Sequence, residues 1–373
     1  MKTILVTGAR GFVGRNLGVN LRRRTGLRLI EVDVESALET LEEGLHKADL
    51  IFHLAGTNRP ERVEDYTTGN LDFTRHICER LRDFGKAPKI VFSSSVQAEL
   101  NNPYGVSKRA AEEVLKAFVQ VTGGECIIYR LKNLFGKWCR PNYNSVTATF
   151  CHNIAQDLPI RISDPAQEID LTYIDDVVSA FMGELDAASQ PGLRFADQIP
   201  SRRISLGELA KIIEGFRAQQ QTLLLPDFSD PFIRALYATY LSYLRPDQFS
   251  YGLERKGDER GILAEIVKSP SFGQIFISRT KPGITRGNHF HQTKTEKFIV
   301  VDGEAAIRLR PIEGGDVINI RVRGDECRVV DIPPGYTHSI TNVGPGELVT
   351  LFWASEIFDP ERPDTAFEEV VKK

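Results

Sequence analysis

The sequence is short of cysteine, of long apolar runs and of any excess of one charge, and each shortage removes a class of function. Its five cysteines are scattered, odd in number and without CxxC spacing, which argues against a disulfide framework and fits reduced thiols in a cytoplasm. No apolar run is long enough to span a bilayer. The run Ile4-Leu5-Val6 stops at Gly8, so no signal peptide is expected. With 47 basic and 50 acidic residues the net charge is -3, so neither nucleic acid nor an anionic membrane is expected as a partner. The basic triplet Arg22-Arg23-Arg24 reads as the solvated end of a short polar helix.

What remains is an ordinary globular balance, 41% hydrophobic and 26% charged, in 373 residues, enough for two domains. Residues 2–7 read as a short buried strand. Gly8-Ala-Arg10-Gly11-Phe12-Val13-Gly14 follows at once, and a helical pattern continues from Arg15. Glycines between a strand and a helix allow a tight turn and a close backbone approach to a pyrophosphate. The helix N-terminus adds N–H groups for the anion. A second strand, Leu27 to Asp33, ends in an acid that can accept bonds from an adenosine ribose and repel a 2′-phosphate. Arg10 argues the opposite way, since a guanidinium grips a 2′-phosphate. The strand 48–56 ends in small residues, Leu54-Ala55-Gly56, against which a cofactor can lie.

Residues 89–95 form the next apolar strand and deliver Ser93-Ser94-Ser95 to its C-terminal end, where open α/β sheets bind ligands. Tyr104 and Lys108, four apart, share one side of a helix turn. An ammonium there is expected to lower the tyrosine pKa, so that the pair can pass a proton to a carbonyl oxygen as a hydride reaches its carbon. Further strands and helices alternate up to Arg245, which predicts a doubly wound parallel sheet, α/β and Rossmann-like. Helices are expected over 205–216 and 232–244, both within this first domain, 1–245.

Beyond Arg245-Pro-Asp-Gln the pattern changes. Strands come close together with Gly, Pro and Asp turns between them, as in an antiparallel barrel or jelly roll over 246–373. His289 and His291, two apart on a strand, face one side. Glu296 and His338, on other strands, complete a His₃Glu set for a divalent metal.

Gly8, Gly11, Gly14, the run His53-Leu-Ala-Gly56, Ser95, Tyr104 and Lys108 resemble the extended short-chain dehydrogenases/reductases that act on nucleotide sugars. The resemblance implies that Ser95, with Ser94 as the alternative, holds the substrate carbonyl. It makes Tyr104 the acid/base, and Lys108 the residue that binds the ribose and tunes the tyrosine. The segment 130–136 resembles the part of the class that contacts the sugar nucleotide, which assigns Asn133 to substrate. In the second half, residues 283–303 and 333–342 resemble the two cupin motifs, and 258–265 resembles the start of sugar-nucleotide 3,5-epimerase cupins. The fusion is similar to bifunctional capsule and O-antigen enzymes that make UDP-2-acetamido-2,6-dideoxy-L-talose, the UDP-N-acetyl-L-fucosamine precursor. Such enzymes invert C3 of a UDP-linked 4-keto-6-deoxy-N-acetylhexosamine in the cupin and reduce C4 in the reductase domain. They imply Zn2+ in the cupin and NADP(H) rather than NAD(H), although Asp33 points to the latter. A cytoplasmic homodimer is expected. Tyr336 and Lys297 are the candidates for removing the C3 proton.

Overall fold

The computed structural model describes residues 1–372, which divide into two compact units. The first comprises residues 1–214 and 231–245, the second 215–230 and the described residues from 246 onward. The segment 215–230, expected in the first domain, thus groups with the second unit. Its backbone explains why: Leu225 N donates to the Lys268 carbonyl and Lys268 N to the Leu223 carbonyl, both at 2.8 Å.

In the first unit, strands β1 (Lys2–Thr7), β2 (Leu27–Val32), β3 (Leu50–His53), β4 (Lys89–Ser95) and β5 (Glu125–Leu131), with Gly192–Phe195, form one sheet. Its order is β2-β1-β3-β4-β5 and then Gly192–Phe195, parallel throughout. These strands are apolar on both faces, because helices cover both. Leu5, Ile51, Ile90 and Phe92 point to a layer with Leu45, Ile77, Leu81 and Leu115. Ile4, Val6, Leu50 and Phe52 point to the other, with Leu17, Val177 and Phe181. Strand order turns back between β1 and β3. Their C-terminal ends therefore open a crevice at the switch point, where such sheets bind ligands.

The helix that carries the tyrosine, Pro103–Thr122, has clear local causes at both ends. The Asn102 side chain caps it by accepting from Gly105 N at 2.8 Å, and Pro103 presets its first turn. Gly123, at φ +67°, ends it in the left-handed conformation that glycine adopts at low cost.

The second unit is built around two antiparallel sheets. One has the order Lys256–Asp258, Gly261–Ser269, Gly273–Thr280, Leu348–Ala354, Glu296–Asp302, Val329–Ile332. The other runs Ile318–Arg323, Glu304–Pro311, Tyr336–Asn342, Thr285–Phe290, Ala366–Phe367. Phe298, Val300 and Phe352 of the first pack with Ile307, Leu309 and Ile340 of the second, and Phe276 stacks on Phe352 at 4.8 Å. This is the face-to-face packing of a jelly roll. Among the described residues no helix is long and apolar enough to cross a membrane.

Candidate active sites

A cleft of about 1400 Å³ opens at the switch point of the first unit. Gly8, Arg10, Gly11, Phe12, Val13 and Gly14 line one wall, with Leu54 and Gly56 beside them. Ala55 is not part of that lining, but its N–H donates to Thr7 Oγ1 at 3.3 Å and so holds the end of β3 against β1. The approach there is too close for a side chain. A Cβ on Gly8 would lie 2.7 Å from Ala55 N, and Gly8 has φ +70°. A Cβ on Gly14 would lie 2.2 Å from the Gly8 carbonyl. Both glycines are therefore required by packing, before any ligand is considered.

Ser93, Ser94, Ser95, Tyr104 and Lys108 line the opposite wall. Strand alternation turns Ser94 and Ser95 to different partners. Ser94 donates to Glu112 at 2.5 Å, and Arg130 closes on the same carboxylate with Nε at 3.0 Å and Nη2 at 2.6 Å. Ser95 accepts from Gln97 N at 3.2 Å and stands beside the Tyr104 phenol. The geometry thus favours Ser95 over Ser94 as the serine of the pair.

The tyrosine differs from expectation. Burial raises its pKa, and the Ser95 hydroxyl offsets this only in part. The Lys108 ammonium does not lower it. Lys108 Nζ instead donates to the Ser93 carbonyl at 3.0 Å and sits over the Phe92 ring at 5.0 Å. Burial brings Lys108 down to about 8. At neutral pH the pair is therefore a neutral phenol beside an ammonium.

Asn70 is a buried support behind the cleft wall that sequence reasoning missed. It lies in a π-turn, Thr67–Asp72. Its Oδ1 accepts from Thr57 N at 2.9 Å and its Nδ2 donates to Ser107 Oγ at 2.9 Å. A Cβ on Gly56 would meet Asn70 Oδ1 at 2.7 Å and Lys108 Nζ at 2.9 Å. Asn70 thereby ties the β3 loop to the tyrosine helix. Elsewhere on the lining, Asn133 donates to the Asp170 carbonyl at 3.2 Å, with Arg161, Tyr143 and Lys132 also present.

A smaller cavity of about 600 Å³ contains Arg10, Arg15, Arg22, Asp33 and Trp138. The Asp33 carboxylate already accepts from Arg10 N at 2.7 Å and from Val34 N at 2.9 Å. The Arg10 guanidinium pairs with Glu35, both exposed, a contact worth little and easily exchanged for a ligand. Arg15, which the sequence reading did not single out, lies 5.3 Å over Trp138.

In the second unit, ligand atoms of His289, His291, Glu296 and His338 all lie within 4.8 Å of one another. A bulge between Gly287 and His289, with Asn288 at φ +58°, brings His289 opposite His338. His291 Nε2 and His338 Nε2 stand 3.3 Å and 3.2 Å from Glu296 Oε2. Both nitrogens are buried without a hydrogen-bond partner. Their Nδ1 atoms face the carbonyls of Asp364 and Tyr336, which leaves the Nε2 lone pairs turned to the centre. Leaving such groups unmatched in a dry interior costs a few kcal/mol, and a divalent cation satisfies all of them at once. Burial raises the Glu296 carboxyl, but the adjacent His291 and His338 rings outweigh it and hold the group well below the usual carboxylate range. Burial lowers His289 to about 4. The set is thus three imidazoles and one carboxylate, the donor types of a divalent transition-metal site. Lys297, one of the two candidates for removing the C3 proton, projects outward and pairs with Asp331.

A family model described as the NAD dependent epimerase/dehydratase family matches residues 4–192. The chain belongs to that family. A second model, the polysaccharide biosynthesis C-terminal domain, matches residues 256–366. The chain is 45% identical over 362 residues to UDP-2-acetamido-2,6-beta-L-arabino-hexul-4-ose reductase of Pseudomonas aeruginosa, with 97% of each chain covered. The solved capsular polysaccharide assembling protein CapF from Staphylococcus aureus is 43% identical, with a TM-score of 0.90 over 98% of this chain and all of that one. UDP-glucuronic acid 4-epimerase from Bacillus cereus, solved with NAD, shares the fold at 18% identity and a TM-score of 0.54. It covers 65% of this chain and 98% of that one.

Proposed function

We propose that the chain is a bifunctional nucleotide-sugar enzyme of surface polysaccharide synthesis. Its second unit, a cupin, inverts C3 of a UDP-linked 4-keto-6-deoxy-N-acetylhexosamine, and its first unit then reduces the C4 ketone. The observation that carries this reading is two separate reactive centres in one chain, the Ser95/Tyr104/Lys108 cleft and the His₃Glu cluster. The Pseudomonas relative, aligned across both, is named for a UDP-linked 4-ketose reductase.

When bound, NADPH supplies the hydride that reaches C4. Ser95 holds the carbonyl oxygen, and the Tyr104 hydroxyl gives it a proton, so that the ketone becomes an alcohol. The Lys108 ammonium, present below about pH 8, binds ribose hydroxyls, and the Ser95 hydroxyl, which alone lowers the Tyr104 pKa, steadies the phenolate that remains. Asn133 contacts the sugar nucleotide. In the barrel, zinc held by His289, His291, Glu296 and His338 would supply a Lewis acid. A base removes the C3 proton, the electron pair moves onto the 4-keto oxygen, and a proton returns to the opposite face. Tyr336 shares the inner face with His338 by strand alternation and is the candidate base. Elemental analysis of protein purified without chelator should find one zinc per chain; protein free of any metal sinks the ligand assignment.

The cofactor preference is NADPH. Arg10, Arg15 and Arg22 share the smaller cavity, while backbone N–H groups already occupy Asp33. The KM for NADPH should be several-fold below that for NADH, and Asp33→Ala should widen the gap. A lower KM for NADH reverses the assignment. The proposal includes a cytoplasmic homodimer. Free cysteines support the compartment, and exposed apolar Ile318 and Val329 on edge strands support pairing. Light scattering that gives a monomer mass counts against the dimer.

A further inference from the structure

The segment that follows the last long strand of the barrel runs beside the histidine cluster, touching His291, His289 and Thr337. Asp364 does more there than any other residue of the segment. Its Oδ1 accepts from Gln292 N at 2.8 Å, and its Oδ2 accepts from Thr293 N and Lys294 N, each at 2.8 Å. The Thr293 hydroxyl adds a fourth bond at 3.1 Å. One carboxylate therefore gathers three consecutive backbone N–H groups of the loop between His291 and Glu296, two of the four clustered residues. The carbonyl of the same residue accepts from His291 Nδ1. The chain then adds a two-residue strand, with Phe367 opposite His289 and Ala366 opposite Phe290. The Glu368 carbonyl takes the hydroxyl of Thr337, next to His338. Arg310, almost fully buried, anchors the far end through Glu368 Oε1 at 2.8 Å, the Glu369 carbonyl at 3.0 Å and the Val370 carbonyl at 2.9 Å.

We infer that residues 364–370 form a strap that sets the metal centre, and that Asp364 is its positioning residue. Asp364 touches neither metal nor substrate. It fixes the 292–294 loop, and through its carbonyl it selects the His291 tautomer that keeps the Nε2 lone pair toward Glu296. The loop has no regular ladder of its own, so without this carboxylate its three N–H groups turn to water. The ligands on either side then lose their spacing. Outer-shell partners of this kind typically change metal affinity by about 10–100-fold. The inference rests on the metal reading above.

The test uses the full chain, loaded with zinc and titrated with a chelating indicator. Asp364→Ala should weaken zinc binding by about 10–100-fold. Asp364→Asn, which keeps one acceptor oxygen, should fall between that variant and the wild type. Amide hydrogen exchange at Gln292, Thr293 and Lys294 should accelerate in Asp364→Ala even with zinc bound, which a general loss of stability elsewhere does not produce. Unchanged exchange at the barrel-core amides of Phe298 and Ile307 reports that the second unit of each variant is folded. A wild-type chain that takes up no zinc overturns the metal centre itself. A folded Asp364→Ala variant that holds zinc within two-fold of wild type, with unchanged exchange at the three amides, overturns the strap alone.

Discussion

A Tyr104→Phe variant will reduce the 4-keto sugar about a thousand-fold more slowly than the wild type while still binding NADPH. The substitution keeps the ring and its packing against Tyr66, 5.8 Å away between centroids, and removes only the hydroxyl. That hydroxyl is protonated at neutral pH, because burial raises its pKa, so it enters the reaction as an acid. Reduction of a ketone needs a proton on oxygen as the hydride arrives. A positioned acid contributes about 10²–10⁴-fold, and the middle of that range corresponds to about 4 kcal/mol of barrier. NADPH oxidation followed by absorbance gives kcat, and cofactor fluorescence gives the affinity. Turnover within a few-fold of wild type would remove Tyr104 from the chemistry.

The second large effect is isotopic. With the UDP-4-keto sugar in deuterated water and no nicotinamide, the wild type will place deuterium at C3 while the ketone persists. A proton beside a ketone is acidic because its carbanion is delocalised onto the carbonyl oxygen. Once C4 is an alcohol that electron sink is gone, and no side chain can remove the C3 proton. On the proposed reading, epimerisation therefore precedes reduction. Tyr104→Phe should exchange C3 like the wild type, since its barrel is untouched. His338→Ala, which removes a buried member of the cluster, should exchange at background rate. Mass analysis of the recovered sugar decides it. Deuterium that enters only when NADPH is present, or equally in the His338 variant, would leave the cupin a structural or dimerising module beside a plain reductase.

Much of this architecture was legible in the sequence. Gly8, Gly11 and Gly14 between an apolar strand and a helix signalled the crevice, and packing in the structure requires glycine at positions 8 and 14. Strand alternation pointed to His289 and His291 as one pair, and the structure brings Glu296 and His338 to them with the help of a bulge before His289. The same alternation would have turned Lys297 outward once Glu296 was placed inward, a signal that was present but not used. Other features had no local sign. The choice between Ser94 and Ser95 depends on Glu112 and Arg130 taking one of them, and those residues come from distant parts of the chain. Asn70 depends on an irregular turn that no hydrophobic period announces. The rise in the Tyr104 pKa depends on burial, which the spacing of Tyr104 and Lys108 does not carry. Asp364 reaches its loop across about seventy residues of chain.

The allocation of residues 215–230 has a practical meaning for anyone who wants either half alone. The helix Leu206–Thr222 carries the chain out of the first unit, residues 231–245 return to it, and Pro246 leaves again. The backbone thus passes from one unit to the other three times, not once. A gene cut after codon 245 would leave Leu223 and Leu225 without the Lys268 backbone groups they bond, and would strip an edge partner from the strand Gly261–Ser269. Modularity in the chemistry is not matched by modularity in the thread. Point substitutions, which silence one centre and leave the path of the chain intact, are the cleaner scalpel.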